Sequence, residues 1–252
     1  MGFHTLAYFE VTDRAATDND EAALTGTADY VQNGHHILPY DMQLLATLSM
    51  GISTSRVRLD APILRQRSRL DLWPFDRAAI PSEYAGICWF DHNPIQLRAA
   101  EEIVVNHSGN GVTGTNENWT TILFAGDGKS PIPRGQPTII RATGTTTLTA
   151  NAWTNVPLTF SESLPAGIWE ITGFQAFSAN AQAARLVIPG QWARPGCIAA
   201  PTDLGVIPSR DFMEGRLGSY GRFNTTSLPS VEVLSNAADT AETCFFKLVK
   251  VG

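Results

Sequence analysis

Cysteine is scarce in this chain: three residues in 252, at Cys88, Cys197 and Cys244. Their wide spacing, with no CxxC, excludes a zinc ribbon or a thioredoxin-type redox pair, and the odd count leaves at least one thiol unpaired. Buried free thiols are the expectation. Charge is sparse too, at 17% of residues, and its balance is acidic, with 18 Lys and Arg against 24 Asp and Glu. A phosphate-binding surface needs clustered cations. The nearest approach to one, Arg56, Arg58, Arg65, Arg67 and Arg69, is interleaved with Leu, Asp and Pro. That pattern suits subunit contacts or a solvated strand face, so no sequence-specific nucleic-acid binding is expected. No apolar run approaches the ~18–20 residues of a membrane-spanning helix. The opening Met1-Gly2-Phe3-His4-Thr5 lacks the basic and apolar regions of a secretory signal, which leads to the expectation of a soluble protein made in the cytoplasm. Helical periodicity is nearly missing, and the best candidates are residues 20–24 and 209–217.

Catalytic constellations are missing as well. The stretch Gly126-Asp127-Gly128-Lys129-Ser130 lacks the first glycine of a phosphate-binding loop, since residue 123 is Leu, and no βαβ pattern surrounds it. His35-His36 with Asp41, and His92 with Asp91, are conceivable metal ligands. Adjacent residues on a strand point to opposite faces, however, and neither HxH nor HExxH occurs, nor the His/Glu set of a cupin. The same alternation separates Glu101 from Glu102 as a glycosidase pair. There is no GxSxG, and no Cys has a His nearby in sequence. The reading is therefore no enzyme, with no catalytic, cofactor-binding or metal-binding residue assigned. Three sequons, at Asn106, Asn118 and Asn224, read as chance occurrences, and Trp73-Pro74-Phe75 reads as a plug over its own domain or a seam between subunits.

What the chain does have is strand signal. Runs of Val, Ile, Thr, Phe and Trp are separated by Gly, Pro, Asn, Asp and Ser, as in all-β sandwiches and barrels. Residues 125–137 hold three Pro and three Gly, which neither a helix nor a central strand tolerates. They mark a boundary: a first domain over 1–126 with an N-terminal arm, a linker over 127–137, and a second domain over 138–252. Tryptophans divide evenly across it, with Trp73, Trp89 and Trp119 before and Trp153, Trp169 and Trp192 after, which suggests two cores with their own aromatic anchors. Strands are expected near 6–11, 30–32, 36–38, 44–52, 56–59, 87–90, 101–105 and 119–124. In the second half they are expected near 145–148, 153–160, 167–177, 183–188, 197–200, 222–225, 230–234 and 244–251.

The two halves also share a pattern. Arg58-Leu59-Asp60-Ala61-Pro62 returns 127 positions later as Arg185-Leu186-Val187-Ile188-Pro189, each copy after an apolar run. Both halves carry an insert between the fourth and sixth strands, at 61–86 and 201–221. Both close with an apolar run, a polar loop and a second apolar run. Eight strands per half are compatible with a jelly roll, so the expected fold is all-β, with two tandem eight-stranded jelly-roll β-sandwiches.

This arrangement resembles the double jelly-roll major capsid proteins of tailless icosahedral viruses, with a bacteriophage as the expected source. The resemblance is architectural and spans nearly the whole chain. The paired Arg-Leu-x-x-Pro segments and the paired closing strands carry it. It implies a virion structural protein, a capsid subunit without enzymatic activity. Three copies would self-assemble into a pseudo-hexameric trimer, and trimers into an icosahedral shell. It further implies neighbouring trimers, penton or minor capsid proteins and an internal membrane as partners, with residues 61–86 and 201–221 as tower or lateral-contact segments. The competing readings are a lectin-like tandem sandwich that binds carbohydrate, with Trp73, Trp192 and Tyr220 as stacking platforms, a β-sandwich glycosidase, and another phage part such as a tail or spike protein.

Overall fold

The computed structural model describes residues 3–12, 22–23, 26–27, 31–32, 35–50, 54–65, 70–72, 87–109, 117–178, 180–200, 212–235, 237–240 and 242–252. The fold is all-β, with several sheets. Two compact units divide it: an N-terminal unit, Leu6–Ala125, and a C-terminal unit made of Gly126–Gly252 together with the chain's first residues through Thr5. The opening residues therefore belong with the second unit, whereas the sequence places them in an arm of the first. The Thr5 amide donates to the Arg194 carbonyl at 2.9 Å, which ties them there.

The N-terminal unit contains β1 (His4–Thr12), β2 (Ala22–Ala23), β3 (Gly26–Thr27), β4 (Val31–Gln32), β5 (His35–Ile37), β6 (Met42–Met50) and β7 (Thr54–Asp60). A four-residue helix α1 (Pro62–Arg65) follows, then β8 (Leu70–Leu72), β9 (Ile87–Trp89), β10 (Ile95–Leu97), β11 (Glu102–Gly109) and β12 (Glu117–Gly126). One sheet runs β10-β6-β12-β1-β3, with β9 also on β6, and the other runs β4-β5-β11-β7-β8, with β2 also on β11. Leu6, Tyr8, Leu44 and Leu123 from the first sheet share one buried cluster with Val57, Leu59, Ile103 and Val105 from the second. The core thus lies between two sheets, as in a β-sandwich.

The C-terminal unit contains β13 (Pro137–Gly144), β14 (Trp153–Val156), β15 (Thr159–Phe160), β16 (Ile168–Phe177), β17 (Ala181–Val187), β18 (Gly196–Ala200), β19 (Gly221–Asn224), β20 (Ser230–Ser235) and β21 (Glu242–Lys250). The order is β14-β20-β17-β18 and then, through β18, β16-β21-β13-β15, with β19 also on β16. β18 joins the two layers. Its first residues pair antiparallel with β17, and Ala199 and Ala200 pair parallel with β16. β21 alternates buried and half-buried positions along most of its length, the period-two signature of a strand with one covered face. β17 is buried at all but its last position and β16 is buried without a break over 169–174, consistent with their central places in the layers. β16 also carries an irregularity between Ile171 and Gly173. A Cβ at Gly173 would lie 2.2 Å from the Met213 carbonyl oxygen, so the turn through 212–215 packs directly on the strand and only glycine fits there.

Three local expectations are corrected. Residues 20–24 were expected to be helical, but Ala22–Ala23 form β2, paired to β11 at Asn106 and His107; residues 20, 21 and 24 lie outside the described residues. Two alanines gain more from a sheet edge than from one unsupported helical turn. The opening strand of the second half runs over Pro137–Gly144, and 145–148 is irregular. There the Leu148 amide donates to Asp239 instead of to a ladder. The single strand expected over 153–160 is two. Pro157 follows β14 and supplies no N–H to a ladder, and the chain crosses from β20 to β13 at that point. Over 209–217, only a short helical turn begins at Phe212 within the described residues. Among them, no helix is long and apolar enough to cross a membrane.

Candidate functional site

Among the described residues, the histidines and carboxylates singled out in the sequence as metal or catalytic candidates do not converge. His36 is buried in β5 and packs edge-on against Tyr8, with ring centroids 6.5 Å apart. Asp41 accepts the Ala99 amide at 2.8 Å, which clamps a loop. His92 is largely exposed and stands 4.0 Å from Asp91. Among the described residues, no three His, Cys, Asp or Glu side chains are placed to share a metal ion. Glu101 is occupied at both oxygens, accepting the Ile63 amide at 3.1 Å and the Arg98 amide at 2.9 Å. Its carboxylate thus caps the start of α1, where orphaned amides need an acceptor. Glu102 faces outward from β11 opposite Ile37.

Ser130 bridges to Gly218, and its carbonyl accepts the Ser219 amide at 3.2 Å. This anchors the Pro-rich stretch to the C-terminal unit and makes no phosphate cradle. Asn224 folds its amide oxygen onto the Thr226 amide at 3.0 Å, a local turn, and Asn106 sits within β11 opposite Arg58. Asn118, Trp73, Pro74 and Phe75 have no described side chains. Cys197 and Cys244 are fully buried and Cys88 is partly so. Burial raises the thiol pKa of Cys197 and of Cys244 well above the ordinary value.

Arg185, from the repeated Arg-Leu-x-x-Pro motif, is 2% exposed although it is charged. Its Nε donates to Glu232 Oε2 at 2.6 Å, the Arg194 guanidinium lies 3.9 Å from the same oxygen, and the Trp153 ring centroid is 4.2 Å from the Arg185 carbon. Carboxylate and aromatic face together compensate the desolvated cation. Arg58, its counterpart, stands between Asn106 of β11 and Asp71 of β8 in register.

One concave feature that gathers charged, polar and aromatic groups is a cleft of ≈ 580 Å³ in the C-terminal unit, lined by Ser130, Glu170, Gln191, Trp192, Ser219 and Arg222 among others. Its floor follows from strand pairing, since Glu170 of β16 lies directly opposite Arg222 of β19. The Glu170 carboxylate accepts from the Arg222 guanidinium on one oxygen and from the Ser219 hydroxyl on the other. Glu170 itself is buried, whereas most of the Arg222 side chain is in solvent. Gln191 ends the turn after β17 and donates its side-chain amide to the Arg222 carbonyl at 3.2 Å. A Cβ at Gly221, where φ is 136°, would lie 2.6 Å from the Gln191 amide oxygen, so glycine lets the amide lie against the strand. Trp192 forms the wall. It stacks on His4 with centroids 5.3 Å apart and planes 22° from parallel, and it remains 37% exposed. The Arg194 amide donates to His4 Nδ1 at 2.8 Å and holds the imidazole in place.

Of the three stacking platforms considered for a carbohydrate binder, Trp192 alone is shown at a surface. Tyr220 is fully buried and donates to the Phe212 carbonyl at 3.3 Å, so it offers no platform. Glu170, Ser219 and Arg222 escaped the sequence reading because nothing local marks them. They meet through a strand pairing that spans about fifty residues of chain.

No family model matches the chain, and no curated protein matches it. Among solved structures, the major capsid protein P2 of bacteriophage PM2 is similar over 99% of this chain and 98% of that one, at 11% identity and a TM-score of 0.25. A Paenibacillus xanthan lyase is similar over 96% of this chain and 25% of that one, at 12% identity and a TM-score of 0.24. At these TM-scores neither likeness bears on what this chain does.

Proposed function

We propose that this chain is a virion structural protein. In this reading it is a major capsid subunit built as a double jelly roll, which assembles as pseudo-hexameric trimers into an icosahedral shell. One observation carries the reading: the two units have the same strand order. In the C-terminal unit the layers run β13-β21-β16-β19 and β14-β20-β17-β18. Numbered within the unit, leaving the short β15 aside, that is 1-8-3-6 and 2-7-4-5, an order that supports reading the unit as a jelly roll. In the N-terminal unit the corresponding neighbours are β1-β12-β6 with β9 and β10, and β2 or β5 with β11-β7-β8. Even the accessory strand recurs, as β3 on the outer side of β1 and β15 on the outer side of β13. The repeated motif occupies equivalent places, with Leu59 of β7 and Leu186 of β17 both fully buried.

Physical logic supports a shell role. Two similar sandwiches in one chain give a trimer six similar flanks, which suits the tiling of a flat facet. Low surface charge favours many modest contacts, each on the scale of a standard interface of ~1,200–2,000 Å². In this reading the protein resides in the virion after synthesis in the host cytoplasm, and its partners are its own copies, with penton or minor capsid proteins and an internal membrane beside them. It catalyses no reaction.

Light scattering and negative-stain microscopy of the purified chain test the proposal. Trimers of the 27.3 kDa chain, or larger symmetric particles, are expected. A strictly monomeric protein at every concentration and salt condition examined overturns it.

A further inference from the structure

The cleft between Trp192 and the Glu170–Arg222 pair gathers a specific chemistry. Its polar floor offers a carboxylate, a guanidinium, a side-chain amide and two hydroxyls within one concavity. The two charged members are paired with each other, so the lining carries no net charge. An anion entering would meet Glu170, and a cation would meet Arg222. A neutral guest that both donates and accepts hydrogen bonds meets neither penalty. The carboxylate still has lone pairs beyond the two bonds it accepts, and the guanidinium has N–H groups beyond its Nε. These planar groups suit paired hydroxyls that donate to one and accept from the other.

The wall supplies the complementary half. Trp192 is held by His4, which is in turn held by the Arg194 amide, so little side-chain freedom remains to be lost when a guest arrives. A fixed, partly exposed indole beside such a floor matches a ring with one C–H face and a rim of hydroxyls.

We propose that this cleft is a saccharide-binding site for a neutral hexopyranose unit, with Trp192 stacking on the ring and Arg222, Glu170 and Gln191 pairing with its hydroxyls. The site lies wholly within the C-terminal unit and does not depend on the assembly reading. Scattering tests the one and ligand binding the other, so either fails without the other.

Saturation-transfer NMR on the full chain tests it, with maltotetraose, cellotetraose, mannotetraose, fully N-acetylated chitotetraose and lactose as neutral probes. A sialylated lactose and a chitosan oligomer serve as anionic and cationic probes. At least one neutral probe is expected to bind with Kd on the order of 1 mM or tighter. Trp192→Ala is expected to weaken that binding at least about tenfold, and Arg222→Gln by a comparable factor, about 1.4 kcal/mol. Trp192→Phe keeps an aromatic wall and should retain most of the affinity. That variant, checked for folding by circular dichroism, guards against loss of structure in the alanine variant. No saturation transfer from any neutral probe overturns the proposal. So does binding restricted to a charged probe, or neutral binding that survives both Trp192→Ala and Arg222→Gln.

Discussion

The two units share a strand order but fill it differently. In the N-terminal unit the main buried cluster is mostly aliphatic: Leu6, Met42, Leu44, Val57, Leu59, Ile103 and Val105 surround the buried Tyr8, whose hydroxyl donates to the Ile103 carbonyl at 3.0 Å, with Tyr40 and Phe90 packed against its edge. In the C-terminal unit the corresponding sheet is aromatic. Phe174 and Phe246 lie 5.2 Å apart, Phe160 lies 5.4 Å from Phe246, and Tyr220 lies 6.3 Å from Phe174 and 5.0 Å from Phe3. Strand order tolerates a wholesale change of core chemistry provided that volume and alternation are kept. What the change alters is where energy is concentrated. Aromatic clusters put it in a few large side chains with specific ring geometry, and aliphatic ones spread it over many.

That difference can be broken at its centre. Phe174→Ala removes a fully buried ring from two aromatic contacts and is expected to cost about 4 kcal/mol, whereas Leu59→Ala in the N-terminal unit should cost about 3 kcal/mol. Hydrogen exchange resolved by peptide checks both size and place. Protection should fall chiefly in β16, β21 and β13 for the first variant, and in β7 and β11 for the second. Uniform loss across both units in either variant would show that the cores are not separate.

The next largest effect sharpens the contrast at the repeated arginines. Arg185 is opposed by Glu232 on β20 and by Gly196 on β18, while Arg58 is opposed by Asn106 on β11 and Asp71 on β8. The acid stands on opposite neighbours of the same strand in the two units. Glu232→Ala leaves the buried Arg185, with Arg194 nearby, without its carboxylate, and should destabilise the C-terminal unit by about 3 kcal/mol. Replacing the pair together, Arg185→Met with Glu232→Leu, should recover most of that loss, because the desolvation penalty goes with the charges. Urea titrations of the wild type, the single variant and the double variant decide it, and equal destabilisation by the single and double changes would sink the argument.

Much of this architecture is written locally. Alternation in Ser230–Ser235 and Glu242–Lys250 marks β20 and β21, and the Arg-Leu-x-x-Pro recurrence places β7 and β17 as counterparts. The errors have equally local causes. Pro157 hides a change of sheet inside one apolar run, and Ala22–Ala23 follow the demand of a neighbouring strand over their own helical propensity. The tryptophans were only part of the guide to the second core. Trp169 is buried in it, but phenylalanine and tyrosine fill most of it, while Trp153 covers a cation and Trp192 lines a cleft. The cleft itself was illegible except for Trp192, because Glu170 and Arg222 acquire meaning only once β16 and β19 pair. Glu170 could as well have been read as an outward-facing strand residue.

The smallest effect concerns a buried acid at the start of β21. Glu242 opens β21 opposite Gly144 of β13. It is 2% exposed, and among the described residues neither carboxylate oxygen has a side-chain hydrogen-bond partner. Its surroundings give the charge little relief. A Cβ at Gly144 would lie 3.4 Å from Glu242 Oε2 and 2.2 Å from Val156, Asp239 adds negative charge from the preceding loop, and Cys244 is the nearby thiol on the same strand. Burial chiefly, opposed by its own backbone amide and aided by Asp239, pushes the carboxyl from 4.5 up to about 7. The folded state therefore holds this proton more tightly than the unfolded chain does. The stabilisation that the proton brings is fully present below about pH 4.5 and is lost as pH rises through about 7. Glu242→Gln keeps the neutral shape and removes the titration. At pH 8 the variant should exceed the wild type in stability by roughly 2 kcal/mol, and the two should converge near pH 4.5. Urea midpoints measured from pH 4.5 to 8 check it. A gap between variant and wild type that stays constant across that range would mean that Glu242 ionises as freely in the folded protein as in the unfolded chain.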